Sequence, residues 1–269
     1  YVIDAVRTPR GVVKPGKGAL SHLHPQHLAA TVLKAIKDRN NLDTATVDDI
    51  IWSTSSQNGK QGGDLGRMAA LSAGYDTKAS GTTLDRFCGG GITSVNLAAA
   101  SVMSGMEDCV IAGGTEMMSY TTAFAAEQAN AGLPPRLMGS GHEALDEMHP
   151  QSHQGVCGDA IATIEGISRE ALDALALVSQ QRADRAIKEG RFAKSVVPVL
   201  NTDGSVALDH EEFPRPETTA EGLASLKPAF TGLADFDLGG GFTFRGQINR
   251  RYPDIEIQNF HHAGNSSGV

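Results

Sequence analysis

One stretch, from Thr82 to Ser119, restricts the fold of this chain more than any other: TTLDRFCGGGITSVNLAAASVMSGMEDCVIAGGTEMMS. GTTLDRF has the β-branched content of a strand and ends at Cys88. Three glycines follow, and ITSVNLAAASVMSGM, from Ile92, then predicts a helix rich in small residues. DCVIAGG, from Asp108, predicts a buried strand that closes on Gly113 and Gly114. Strand, glycine turn, helix and strand in such short compass point to a layered α/β architecture.

The upstream sequence extends the same alternation. YVIDAVRTP and DDIIWSTSSQ are expected as strands, PQHLAATVLKAIKDRN from Pro25 as an amphipathic helix, and GGDLGRMAALSAGY as a second helix. From Tyr120 to about Gly155 the chain mixes Pro, Gly, His and Met without a period, so a loop laid over the core and a boundary after Ser119 are expected. SREALDALALVSQQRADRAIKEGRF predicts a long helix capped by Ser168 and stopped by Gly190, with Ala and Leu along one face. SVVPVLN and GSVALDH, flanking TDG, predict a strand pair. Gly232 to Phe260 shows no strong period.

Composition excludes several function classes. A length of 269 residues with 40% hydrophobic side chains is enough to bury a core in one large domain or two smaller ones. The net charge of −8 disfavours nucleic-acid binding, which wants a basic face. No apolar run reaches the length of a membrane span. Cys88, Cys109 and Cys157 are odd in number and lack Cys-x-x-Cys spacing, which argues against a disulfide framework and a metal site and favours a reducing, cytoplasmic setting. An organellar matrix is the alternative if a targeting segment has been trimmed ahead of Tyr1.

The position of Cys88 has chemical meaning. Unpaired N–H groups and the macrodipole at a helix N-terminus stabilise an anion, and a thiolate is one. Glycines allow a tight turn and let backbone N–H groups approach a substrate oxygen, which is what acyl transfer to a nucleophile needs. The alternative is that Cys88 is a small buried hydrophobe, as many free cysteines are. Cys109, mid-strand, and Cys157, without a partner nearby in sequence, are expected to be structural.

LDRFCGGGITSVNLAAASVMSGMEDCVIAGGTEMMS closely resembles the nucleophile segment of the thiolase family, the acetyl-CoA acyltransferases. DAVRTPRG, the helix and strand SREALDALALVSQQRADRAIKEGRFAKSVVPV, TTAEGLASLKPAF and AGNSSG resemble further family stretches in the same order. The resemblance implies a layered α/β core with a mixed sheet over residues 1–119 and an inserted coenzyme A-binding loop domain over 120–260. A return strand into the core over 261–269 follows. It implies thiolytic cleavage of a 3-ketoacyl-CoA or condensation of acetyl-CoA through an acyl-enzyme on Cys88, whose own N–H contributes to an oxyanion hole. Motif by motif, it assigns coenzyme A contacts to Leu145 and His153 in LDEMHPQSHQG, Arg215 in FPRPETT, Phe230 in LKPAF, and Ala263 and Ser267 in AGNSSG. It implies no covalently bound cofactor and no metal, with coenzyme A and acyl-CoA as substrates and a homodimer or homotetramer as the assembly.

The sequence departs from the family at Gly90, where many members carry Ser, at Gln154, where many carry Met, and in a longer Phe230–Ala263 segment. The family's second core domain carries a Gly-His-Pro histidine, an acid/base cysteine and an asparagine. None of these is assigned here, since the only Gly-His, at His142, precedes Glu143. The expectation is the N-terminal core and loop domain of a thiolase, inactive alone. The alternatives are a ketoacyl-synthase-type condensing enzyme and a non-catalytic coenzyme A-binding or assembly module.

Overall fold

The computed structural model describes residues 1–133, 142–237 and 241–265. The chain forms two compact units, one of Tyr1–Pro134 with Phe192–Phe213, the other of Pro135–Arg191 with Pro214–Val269.

The first unit is built on β1, Asp49–Ser53, whose last four residues are all buried. A run without polar alternation suits a strand covered on both faces. β2, Thr82–Leu84, and β3, Val110–Gly114, flank it in the order β2-β1-β3, both parallel to it, with Ile51 opposite Thr82 and Ala112. Helix α1, Pro25–Asn40, and helix α2, Leu65–Ser72, bury Ala29, Leu33, Leu65 and Ala69 in one cluster with Ile50 and Trp52. Alternate strand residues point to opposite faces, so Ile51 and Ser53 face the other way, toward α3, Gly90–Ser104. α3 is buried only at Gly90, Ser94 and Ala98, small residues that bring its backbone onto the sheet. A Cβ at Gly113 would come within 2.5 Å of the Trp52 ring, so bulk on β1 is matched by its absence on β3.

Several expectations fail locally. The opening stretch YVIDAVRTP is not a strand: its one ladder contact is a parallel bridge between Arg7 and Val196. Carboxylates hold it instead. Glu211 pairs with Arg7 and Arg10 and accepts the Arg10 N–H at 3.1 Å, while Glu212 accepts from Val12 and Ala19 at 2.8 and 3.1 Å. Side-chain acceptors thereby satisfy backbone donors that a sheet ladder would otherwise take. Second, the expected loop after Ser119 contains α4, Met118–Asn130, so the anticipated boundary falls inside a helix of the first unit. Only Ser119 of α4 is buried, and a helix with so little core-facing surface leaves no apolar period to read. Third, α5, Glu143–Met148, lies inside the stretch that read as irregular, and α6, Gln154–Ile164, begins at its end.

In the second unit, α7, Arg169–Lys188, has Ser168 accepting the Ala171 N–H at 3.2 Å and Gly190 at φ 67° beyond its end, as its sequence predicts. Its buried residue is Asp173, however, and Leu175 is 67% exposed, so the expected Ala and Leu face does not form the core contact. The strand pair is present but short, β4 at Val199–Leu200 and β5 at Val206–Leu208, and belongs to the first unit. Short helices α8, Ala220–Ala224, α9, Thr231–Ala234, and α10, Phe244–Asn249, complete the second unit. Its core is Val156, Ala160, Ala234, Ile248 and Ile257. Residues 261–265 of the expected return strand form a turn within this unit. The backbone there is tied by side chains rather than by a ladder.

Candidate active site

Cys88 sits where β2 hands over to α3, inside a single 3₁₀ turn, Phe87–Gly89, directly ahead of the helix. It is exposed. Phe87 adopts φ 47°, in the left-handed region that a bulky residue rarely occupies, and this reversal turns the chain sharply at the cysteine. Three hydrogen bonds hold the turn: Phe87 N–H to Asp85 Oδ1 at 2.8 Å, Gly89 N–H to Arg86 O at 3.0 Å, and Gly90 N–H to Phe87 O. Thr93 Oγ1 donates to Gly89 O at 3.0 Å and Ser94 Oγ to Gly113 O at 3.0 Å, which fixes the first turn of α3 to the sheet.

Gly90 explains one departure from the resemblance. A Cβ on it would overlap Ser53 Oγ and lie 2.9 Å from the Ser53 Cβ, so with Ser53 on β1 the position has no room for a serine. Beyond the sheet's carboxyl edge, Glu116 accepts from Ser55 N–H at 2.7 Å, Gln61 Nε2 at 2.9 Å and Thr54 Oγ1 at 3.3 Å. This network ties the loops after β1 and β3 together, and nothing in the spacing of Glu116 and Gln61 announces it. In parallel sheets the carboxyl ends of the strands are where ligands bind.

The other two cysteines are less accessible. Cys109 packs against the core cluster of β1 and α2, and burial, then the nearby Asp48 carboxylate, push its thiol up. Cys157 packs beside Val156 and Ala160 in the second unit. Among the described residues Cys88 Sγ has no hydrogen-bond partner, and the histidines of its own unit are engaged elsewhere. His22 meets Asn201 Oδ1 at 2.8 Å, His27 meets Leu200 O at 2.7 Å, His24 caps α1 through Gln26 N–H at 3.2 Å, and His210 meets Asp209 Oδ1 at 2.8 Å. Burial, then Lys60 and His27, hold His24 below the ordinary histidine value.

The residues matched to coenzyme A contacts, where described, lie in the second unit. His153 and Phe230 come together: their rings are 5.7 Å apart, and His153 also meets Phe244 edge-on at 5.8 Å. His153 Nδ1 accepts the Gly155 N–H at 3.1 Å, capping α6, and a Cβ at Gly155 would strike the Phe230 ring at 2.5 Å. The Phe230 ring therefore lies flat against the start of α6. Arg215 is exposed; its N–H is held by Gln180 Oε1 at 2.8 Å, and its guanidinium forms no ion pair among the described residues. Leu145 is half-buried on α5, and Ala263 is exposed on the turn 263–265. Ser267 lies outside the described residues. No cluster of His, Cys, Asp and Glu able to hold a metal occurs among the described residues, and no described helix is long and apolar enough to cross a membrane.

Sequence comparison gives this geometry its context. The thiolase N-terminal domain family matches residues 1–233. The chain is similar to the 3-ketoacyl-CoA thiolase of Shewanella denitrificans, 35% identical over 233 residues that make up 85% of this chain and 57% of the relative. It is 34% identical over the same shares to the 3-ketoacyl-CoA thiolases of Shewanella loihica and Pseudoalteromonas translucida. The chain thus spans 57% of the length of these curated relatives. A cysteine on a strained strand-to-helix turn, in a layered α/β unit within a match covering most of the sequence, leads to one conclusion: the chain belongs to the thiolase family, through its N-terminal domain.

Proposed function

We propose that this chain is the nucleophile-bearing part of an acyl-CoA acyltransferase, a thiolase acting on 3-ketoacyl-CoA or acetyl-CoA. The observation that carries the reading is the exposed Cys88 on its left-handed turn at the head of α3. In thiolytic cleavage the Cys88 thiolate attacks the 3-keto carbonyl, a bond forms between Sγ and that carbon, and the C2–C3 bond breaks with its electron pair on C2, which takes up a proton and leaves as acetyl-CoA. In condensation the thiolate attacks the acetyl-CoA carbonyl and the carbon–sulfur bond to coenzyme A breaks with its electron pair on the departing thiolate. The proton lost by Cys88 ends on C2 in the first case and on that thiolate in the second. In the second half-reaction coenzyme A, or an acetyl-CoA carbanion, takes the acyl group from Cys88. The second unit serves as the coenzyme A-binding loop domain. Arg215 pairs with a phosphate, Phe230, His153 and Leu145 flank adenine or pantetheine, and Ala263 and Ser267 line the pantetheine. No metal or covalently held cofactor takes part. The working enzyme is a homodimer or homotetramer in the cytoplasm.

The absence of a hydrogen-bonded base beside Cys88 among the described residues supports a second element of the reading: the chain alone turns over at background. General acid and base groups each contribute about 10² to 10⁴ in rate. Thiolytic cleavage of acetoacetyl-CoA is measured with the 269-residue chain alone and after adding the C-terminal portion of a full-length relative. Activity restored by the addition and absent with Cys88→Ser supports the proposal. Substantial turnover by the chain alone overturns its inactivity. A preference for a malonyl over an acetyl donor would move the assignment to a ketoacyl-synthase-type enzyme.

A further inference from the structure

Residues 253–262 form no helix or strand, yet His262 within them is 1% exposed. Irregular backbone buried this way needs polar partners, and two aspartates supply them. Asp159, on α6 and 1% exposed, accepts the N–H of Phe260 at 3.0 Å, the N–H of His261 at 2.9 Å and the Nδ1 of His261 at 2.6 Å, all on one oxygen. Asp173, on α7, accepts His262 Nε2 and Asn265 Nδ2, both at 2.8 Å, while its other oxygen holds Arg169 at 2.8 Å. His262 Nδ1 in turn accepts the Gly264 N–H at 2.9 Å, which fixes the tautomer as Nε2–H toward Asp173. Asn265 Oδ1 closes the turn on the His262 N–H at 2.8 Å.

The two consecutive histidines thus clip one segment to two helices. That segment carries a candidate ligand contact at each end of a short path. The His261 carbonyl accepts the Ala229 N–H at 2.9 Å, next to Phe230, and the exposed Ala263 follows directly after His262. A Cβ at Gly264 would come within 2.7 Å of Leu223, so the turn has no slack toward α8. Arg169, held by Asp173, reaches Leu223 O at 2.8 Å and Leu226 O at 3.0 Å and fixes the approach to LKPAF from the other side. Asp173 meets donors through both oxygens, whereas Asp159 meets them through Oδ1 alone, its buried Oδ2 having no hydrogen-bond partner among the described residues.

We propose that Asp159 and Asp173, acting through His261 and His262, are positioning residues for coenzyme A: they set Phe230 and Ala263 at a fixed separation. The proposal rests on the reading that the second unit binds coenzyme A. Its test is the affinity of the chain for coenzyme A by calorimetry, with amide hydrogen exchange at Ala229 and 260–265 and the alkylation rate of Cys88 as companions. Asp159→Ala loses about tenfold or more in affinity and exchanges faster at those amides, with Cys88 alkylation unchanged. Asp159→Asn keeps the acceptor oxygen for the two backbone N–H groups and recovers most of the affinity. If wild type binds coenzyme A and Asp159→Ala binds it equally well, the positioning role is overturned while the binding reading stands. If wild type binds no coenzyme A, the underlying reading fails and this proposal with it. Equal losses in the Ala and Asn variants with altered Cys88 alkylation would mark a general folding defect and also overturn it.

Discussion

Among single residues, the surroundings of Cys88 and Gly90 decide the most. Cys88 is exposed, whereas burial and the Asp48 carboxylate raise the Cys109 thiol, so iodoacetamide near neutral pH should label Cys88 first. Peptide mapping by mass spectrometry reads the order, and faster labelling of Cys109 or Cys157 in the folded chain contradicts it. Gly90→Ser should cost about 1–3 kcal/mol in urea unfolding, because the added Cβ meets Ser53. Ser53→Gly in the same chain should restore most of the loss, and additive losses in the double variant would show that the two residues do not meet. Cys88 was legible from sequence because strand-like, glycine and helix-like residues surround it in order. The left-handed Phe87 was not, since φ > 0 has a sequence signature only when Gly or Asn supplies it, and here Asp85 and the packing of α3 impose it.

At the scale of elements, carboxylates do work that the sequence does not display. Burial opposes the charge on Glu211 and on Asp173. Hydrogen bonds from Arg7 and Arg10 to the first, and from Arg169, Asn265 and His262 to the second, outweigh it and hold both carboxyls below their ordinary values of 4.5 and 3.8. A carboxylate with a lowered folded value contributes stability that is fully present above its unfolded value and is lost as the pH falls through the folded one. The contribution of these two carboxylates to the urea midpoint should therefore be intact from about pH 7 to pH 5 and be lost below about pH 4.5, so that the fall below about pH 4.5, which follows a shallower decline from His24 beginning near pH 6.5, is less steep in a Glu211→Gln, Asp173→Asn double variant. An equally steep fall in that variant would place the acid sensitivity elsewhere. The helices α1, α2, α3 and α7 were readable because caps and periodic apolar or small residues mark them. α4 was not, having almost no buried face, and YVIDAVRTP misled because β-branched residues signal a strand only where a ladder is available to them.

At the scale of the whole molecule, the family was legible because long motifs recur in family order, while the contacts within each unit were not. Asp159 lies far in sequence from His261, and Asp173 from His262, and no local pattern pairs them. α3 presents Ile92 at 72% and Met103 at 87% exposure, so the chain alone should associate at micromolar concentration in light scattering, and Met103→Glu should weaken that association. A strictly monomeric wild-type chain would show that these side chains find cover of their own. The central claim is that Cys88 accepts the acyl group, and the direct measurement is to incubate the chain with acetyl-CoA, quench in acid and map the acetyl thioester by mass spectrometry. Acetyl is expected on Cys88 alone, formed slowly and abolished by Cys88→Ser; acetyl on Cys109 or Cys157, or acetylation unchanged in Cys88→Ser, would contradict that role.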